Sequence, residues 1–439
     1  MNNPMTSFTR KHHLRDWHHL LWWFGAVLIG LMAFLLAQCS AIAYGFFIDT
    51  AQKYPWFPFV FTPIAGIFLT WFMRKVGAGT EGSGIQQAIA ALDVADNLKQ
   101  IHWFINLKLA VAKFFAIILG LGSGFVVGLE GPTVQIGASI MYTFRRFLPT
   151  DVVATRRQLI IMGGSAGIAA AFNAPMAGVM FAFEEMWRSV EYKTASHVAV
   201  AIMLAGFTAY WCNGKSSYFG YVNVSLDITL KYIPIALLVI IISALIGGAL
   251  SWLMVKPNKW LPKIIIRFKK SHPYYFVIGC ALLLALCGNF APIFGSGADL
   301  TQQMLHNEVN VAWYYMPLKF IAFLSSSLTG VPGGIFSPSL SLGAGVGNCF
   351  TDFIAPDYQT LTLILGMVAV LAAITRAPLT ATFIMIEMTG NHTIIFVVLV
   401  AAVLADYIAR IFNTMFYHDL ADDALKDIPA ELASNKTPT

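Results

Sequence analysis

Charge is scarce in this chain. Only 11% of its 439 residues are charged and 57% are hydrophobic, where a soluble domain averages about 25% charged. So few polar groups could not cover a surface that faced water on all sides, and lipid as the outer solvent removes that demand. The five cysteines, at 39, 212, 280, 287 and 349, form no CxxC pair and no metal spacing. They read as isolated buried thiols, Cys212 in a short polar loop. A Walker A loop, zinc-ligand spacing and a catalytic triad motif are also missing. That leaves a membrane enzyme or scaffold only as a distant alternative to transport. No cleavable secretory signal is evident, because the apolar run that starts near Leu20 is too long for one. His12, His13, His18 and His19 have no second ligand cluster to answer them, so they suit a polar interfacial helix better than a metal site.

The net charge of +6 is not a nucleic-acid patch. It is spread in short basic clusters between apolar runs: Arg10-Lys11, Arg74-Lys75, Arg145-Arg146, Arg156-Arg157, and a block from Lys256 to Lys270. Basic residues in short loops mark the cytoplasmic side of a membrane. The N-terminal stretch and the 256–270 block are therefore both expected in the cytoplasm.

Apolar runs recur near 20–48, 58–73, 104–127, 157–183, 196–211, 231–255, 273–292, 314–328, 359–374 and 391–405. Several can span about 30 Å of hydrocarbon as helices. Others are short or cut by glycine and proline, as in 79–88, 126–137, 172–180 and 330–343. Irregular backbone at membrane depth is tolerated only where protein covers it or a watery cavity meets it. These pieces should therefore be buried and line something, as broken transporter helices do. The two halves echo each other. Pro132 stands five residues before Gly137, and Pro338 five before Gly343, at an offset of 206. Pro175 stands nine before Glu184, and Pro378 nine before Glu387, at an offset of 203. Duplication is the reading. Periodicity alone leaves open whether the second copy is inverted.

Each broken segment has the same grammar: a glycine-rich stretch ends and a helix begins. Pro132 suits a first helical position. A helix start carries about half a positive charge and attracts anions. The starts at 82–86, 130–132 and 333–338, brought together, would hold a dehydrated anion without a full positive charge, weakly enough to let it leave. Glu130 can occupy that site itself as a tethered anion and release it on protonation; a structural cap is the alternative. Glu184 and Glu185 end an apolar helix, with Arg188 and Lys193 suggesting the cytoplasmic edge. One of them could relay protons toward Glu130 while the other pairs with a base, since neighbours on a helix point about 100° apart. Arg376, Glu387, Asp406 and Arg410 read as structural ion pairs, Arg376–Glu387 or the i,i+4 pair Asp406–Arg410.

At these residues the sequence resembles the CLC family of chloride channels and proton-coupled chloride transporters, closest to its compact prokaryotic members. The matching pieces are GSGIQ (82–86), GLEGPTVQIG (128–137), AAAFNAPMAGVMFAFEEM (169–186), GVPGGIFSPSLSLG (330–343) and RAPLT (376–380). The resemblance implies an all-α polytopic membrane protein with two inverted repeats of tilted and broken helices. They would occupy about 20–215 and 230–410 of one transmembrane domain spanning 1–420. A polar tail, 421–439, follows, with no cytoplasmic regulatory domain. It implies a homodimer in the plasma membrane, the bacterial inner membrane, with lipid, chloride and protons as partners, no cofactor, and no nucleic acid. It assigns anion binding to Ser83, Gly84, Gly131, Ile335, Phe336 and Tyr417. Gating falls to Glu130, and internal proton transfer to Glu185 with Glu184 just before it. Two departures stand out: Gln86 where the family often has proline, and Leu129 where it often has arginine or lysine. The second removes a positive charge near the outer entrance. Ser83 points to chloride rather than nitrate, and the divergent motifs of fluoride exporters are missing. The expected function is a chloride/proton antiporter, with a passive chloride channel of the same fold as the alternative.

Overall fold

The computed structural model describes residues 5–77, 79–148, 153–186, 195–214, 217–224, 229–429 and 432; side chains are described from Leu20 in the first helix and from Thr155 in the helix that begins at Val153. Arg188 and Lys193 fall outside that description, as do the side chains of the histidines at 12, 13, 18 and 19. Among the described residues the regular structure is helical, with one isolated antiparallel bridge. Among the described residues eight helices are long and apolar enough to cross a membrane: Leu20–Lys53, Phe57–Lys75, Leu98–Leu121, Ala195–Cys212, Ile233–Val255, Pro273–Phe290, Pro356–Thr375 and Ile395–Phe412. Most expose apolar side chains on one face, as Phe207 and Trp211 do on Ala195–Cys212. Pro356–Thr375 is buried almost all round. A helix apolar on every side belongs in the core of a large protein or a membrane bundle.

The backbone breaks at two equivalent places. The run at 157–183 breaks after Ala171, where Asn173 turns into the left-handed region (φ 53°) and a new helix starts at Pro175. Its counterpart breaks after Thr375, with Arg376 at φ 65° and a new helix at Pro378. Asparagine visits that region readily. Arginine there is an outlier, and Arg376 Nε is held 2.8 Å from Asp406 Oδ1.

The duplication recurs in three dimensions. Helix Glu130–Thr143 packs on Val153–Ala171 with Gly137 against Gly163, so close that a Cβ on either would lie within 2.4 Å of the other's carbonyl oxygen. Helix Phe336–Asn348 packs on Pro356–Thr375 through Gly343 and Gly366 in the same way. Small residues that let helix backbones touch are the usual cement where lipid offers no hydrophobic drive. The fully buried Lys113 donates to Thr80 O (2.6 Å) and Gly82 O (2.7 Å). The fully buried Lys319, 206 residues later, donates to Ile293 O (2.9 Å) and Gly295 O (3.2 Å).

Reciprocal bonds tie the copies together. Gly128 and Gly334 exchange both backbone hydrogen bonds, at 2.8 and 2.7 Å. The Glu184 carboxylate accepts from the N–H groups of Leu379 (2.9 Å) and Thr380 (2.6 Å), capping the helix that starts at Pro378. The Glu387 carboxylate accepts from Met176 (3.0 Å) and Ala177 (2.8 Å), capping the helix that starts at Pro175. Each copy's glutamate thus closes the other copy's helix, the pattern of a two-fold relation. The expected Arg376–Glu387 pair does not form, because Glu387 is taken by these amides and Arg376 by Asp406. The Asp406–Arg410 pair does form, at 3.0 Å. Of the cysteines, Cys287 alone is fully buried; all five are unpaired.

Candidate ion-binding site

The broken segments meet in the interior. Gly84 takes a left-handed conformation (φ 111°), which frees the helix Ile85–Asp93 to start there. The next helix starts at Glu130, two residues earlier than Pro132 suggested, with Leu129 as its N-cap. Proline in the third position costs nothing, since that N–H would lack an intrahelical partner as well. The third helix starts at Phe336, with Ile335 as its N-cap. The three starts touch. A Cβ on Gly131 would lie 2.1 Å from Ser83 Oγ and 3.0 Å from Gly334 Cα, and one on Gly334 would lie 2.7 Å from Gly131 N. Glycine at these positions is what permits the approach. The amides at 130–131 and 336–337 have no intrahelical acceptor, so their partial positive charge faces a common space.

Glu130 sits in that space, 2% exposed. One carboxylate oxygen accepts from the Ser337 hydroxyl. The other has no hydrogen-bond partner and lies close to the backbone of Gly128 and Gly334. Ser83 Oγ and the Tyr417 hydroxyl are near neighbours, both buried, and neither makes a closed hydrogen bond. Two buried hydroxyls without acceptors beside a helix start offer donors to an anion. The Phe336 ring stacks on Tyr417 (6.0 Å, 19°) and meets Phe172 and Phe181 edge-on. A cavity of about 130 Å³ opens against Ser83, lined in part by Gln86, Gly334, Ile335 and Phe416.

The sequence-predicted residues Ser83, Gly84, Gly131, Ile335, Phe336, Tyr417 and Glu130 are therefore brought together. Glu185 lies apart from the helix starts but within electrostatic range of Tyr417. It is carried on a π turn, Ala182–Met186, that follows the helix Pro175–Phe181. Such wide turns often mark functional positions. Here the turn sends Glu184 outward to its capping role and keeps Glu185 inside. Both oxygens of Glu184 are engaged, and the Thr380 hydroxyl adds a third donor at 2.7 Å. Glu184 pairs with a helix start rather than with the base expected for it. The helix at Ile85 forms without a proline at 86. Gln86 instead folds back, and its Oε1 accepts from Gly84 N at 3.2 Å.

Sequence reasoning missed four contributors. Ser337 donates its hydroxyl to the Glu130 carboxylate, and its signal was the hydroxyl directly before Pro338. Tyr218 packs its ring edge against Phe172 and lies near Ser337 and Glu130; it comes from an aperiodic loop that carried no signal. Lys113 stands behind the first helix start with its ammonium group spent on carbonyls. His418, next to Tyr417, has Nε2 3.8 Å from Glu185 Oε2.

The chain is similar to known proteins in sequence and in fold. The family described as voltage gated chloride channel matches residues 65–410. The H(+)/Cl(-) exchange transporter ClcA of Vibrio vulnificus (strain YJ016) is 28% identical over 447 residues, covering 93% of this chain and 92% of the relative. That of Vibrio parahaemolyticus serotype O3:K6 is also 28% identical, over 448 residues with the same coverage. Among solved structures, a slow cyanobacterial Cl-/H+ antiporter aligns with a TM-score of 0.79 at 22% identity, over 94% of this chain and 98% of that one. A CLC-type fluoride/proton antiporter aligns with a TM-score of 0.75 at 21% identity, over 91% and 97%. With more than half its length matched and its broken helices meeting in one buried site, this chain belongs to the CLC family of voltage gated chloride channels and transporters.

Proposed function

We propose that the chain is a secondary antiporter exchanging chloride for protons, with Glu130 as the proton-controlled anion gate and Glu185 as the internal proton site. The observation that carries this reading is the Glu130 carboxylate itself. It is buried where three helix starts meet, held by Ser337 through one oxygen and unpartnered at the other. A negative carboxylate there occupies the place of an anion. Protonation removes its charge, weakens its hold on the helix-start amides, and lets chloride take the position. Partial charges bind that chloride without trapping it. An intramembrane acid beside an ion pathway is a functional candidate by default, and Glu185, 6% exposed at its side chain, supplies a second one. Tyr417 lies within electrostatic range of both acids and stacks on Phe336, so on this reading protons cross the stretch on transient water.

Chloride is the proposed anion because Ser83 offers a hydroxyl beside the helix starts. The fold does not choose, since both a chloride and a fluoride antiporter share it. The Vibrio relatives are named as chloride exchangers. We place the working unit in a bacterial inner membrane with its N-terminus cytoplasmic, on the strength of the basic clusters, and as a homodimer. Exposed apolar side chains on Ile395–Ala409, including Phe396, Val400, Val403 and Tyr407, give lipid or a second copy a surface to meet. The matched family is described as a channel, so the same site passing chloride without protons is the competing reading.

Glu130→Gln tests the gate. The neutral amide mimics the protonated acid and cannot carry a proton. Chloride flux through reconstituted liposomes continues, while chloride-driven proton movement falls at least about tenfold, as expected for loss of a proton-transfer group. Coupled proton movement that survives in this variant removes Glu130 from the mechanism.

A further inference from the structure

Glu185 is too deeply buried to exchange protons freely with the cytoplasm, and the structure points to the group that serves it. His418 lies on the first turn of the helix Phe416–Lys426, one residue after Tyr417. Its Nε2 is 3.8 Å from Glu185 Oε2, and its side chain is 13% exposed against 6% for Glu185. The ring thus lies beside a more deeply buried carboxylate and is itself partly exposed. We propose that His418 is the cytoplasmic entry relay, taking a proton at one ring nitrogen and giving one to Glu185 at the other. The step balances without any further reactant. A proton binds neutral imidazole, the Nε2 proton passes to the Glu185 carboxylate, and His418 returns to the neutral form; export runs the same steps backwards.

The surroundings suit a group that must hold a proton briefly. Histidine is the side chain whose ordinary titration falls between about pH 5 and 8. Among the described residues, the following charged and titratable groups surround it. Glu185 and Tyr417 face it from within. Asp419 and Asp422 share its helix, and Asp419 is engaged by Lys256 at 3.8 Å. The helices packed against Phe416–Lys426 are Ile85–Asp93, Ile233–Val255 and Pro356–Thr375. They carry only Asp93 and Asp357 as charged residues, at a last position and in a first turn.

This inference rests on the exchanger reading, and the test separates the two. Native protein, His418→Gln, His418→Asn and Glu185→Gln are reconstituted, and chloride-driven proton flux is followed from pH 5 to 8 with voltage clamped. Chloride flux is measured in parallel, and elution as a single species on gel filtration shows that each variant is folded. The expected result is a proton flux lowered about tenfold at pH 7.5 in both His418 variants but less than about twofold at pH 5, where hydronium can reach Glu185 directly. Added imidazole restores the flux at pH 7.5, and does nothing for Glu185→Gln. A purely structural role would lower flux equally at every pH and resist rescue. A His418 variant with the native pH profile, or one that imidazole leaves unrescued, overturns the relay while native coupling stands. Native protein without coupled protons overturns the exchanger reading instead.

Discussion

On the proposed reading, one proton on Glu130 decides whether the helix starts hold a side chain or an ion. Ser337 is then the group that senses the difference, because its hydroxyl donates to the carboxylate. Ser337→Ala leaves the charged form without that donor, a loss of about 1.5–3 kcal/mol for a bond to a charged group. The carboxylate then vacates the site more readily, and proton-independent chloride flux rises; efflux from chloride-loaded liposomes at pH 7.5 measures it. Leu129, the N-cap residue before Glu130, places an apolar side chain where relatives of the resembled family often carry a cation. Leu129→Arg should strengthen chloride capture, halving the chloride concentration for half-maximal flux or better at low ionic strength, where charge steering is strongest. An unchanged chloride dependence sinks that assignment. The glycines and Glu130 were legible in the sequence because backbone approach and intramembrane charge leave few residue choices. Tyr218 and His418 were not, because each reaches the site or its proton path from a distant stretch through tertiary packing alone.

The helix pairs and caps account for how those residues are held. Gly343 and Gly366 bring two helix backbones into contact, and a Cβ on Gly343 would lie 2.4 Å from the Gly366 carbonyl oxygen. Backbone cannot step aside cheaply, so Gly343→Ala should cost about 1–3 kcal/mol and lower the Tm in detergent by several degrees, with Gly137→Ala behaving alike. Glu184 and Glu387 are equivalent caps, and their glutamine variants should each lose about 1 kcal/mol. The sharper expectation is functional: Glu184→Gln keeps chloride-driven proton movement within about twofold of native, where loss of a transfer group costs about 10² or more. A collapse of coupling in Glu184→Gln would return it to the proton path. The helix breaks at 171–175 and 375–378 were readable from proline, and the duplication from two matching offsets. The exchange of caps between copies was hidden, since a glutamate near a helix end gives no hint of whose amides it meets.

For the whole molecule, the two-fold pairing of broken segments brings three helix starts together around Glu130, with Glu185 set apart from them. Composition announced the membrane and the motifs announced the family. How Glu184 and Glu185 divide their roles required the π turn that aims them apart. The central claim is that chloride and protons are coupled through Glu130 and Glu185. It is tested most directly by imposing a chloride gradient on liposomes containing the purified protein, clamping the voltage with an ionophore, and recording proton movement for native protein and Glu185→Gln. The account predicts protons driven uphill by the native protein and no such movement in the variant, while chloride continues to flow in both. Chloride flux without coupled protons in the native protein would contradict it and make the molecule a channel.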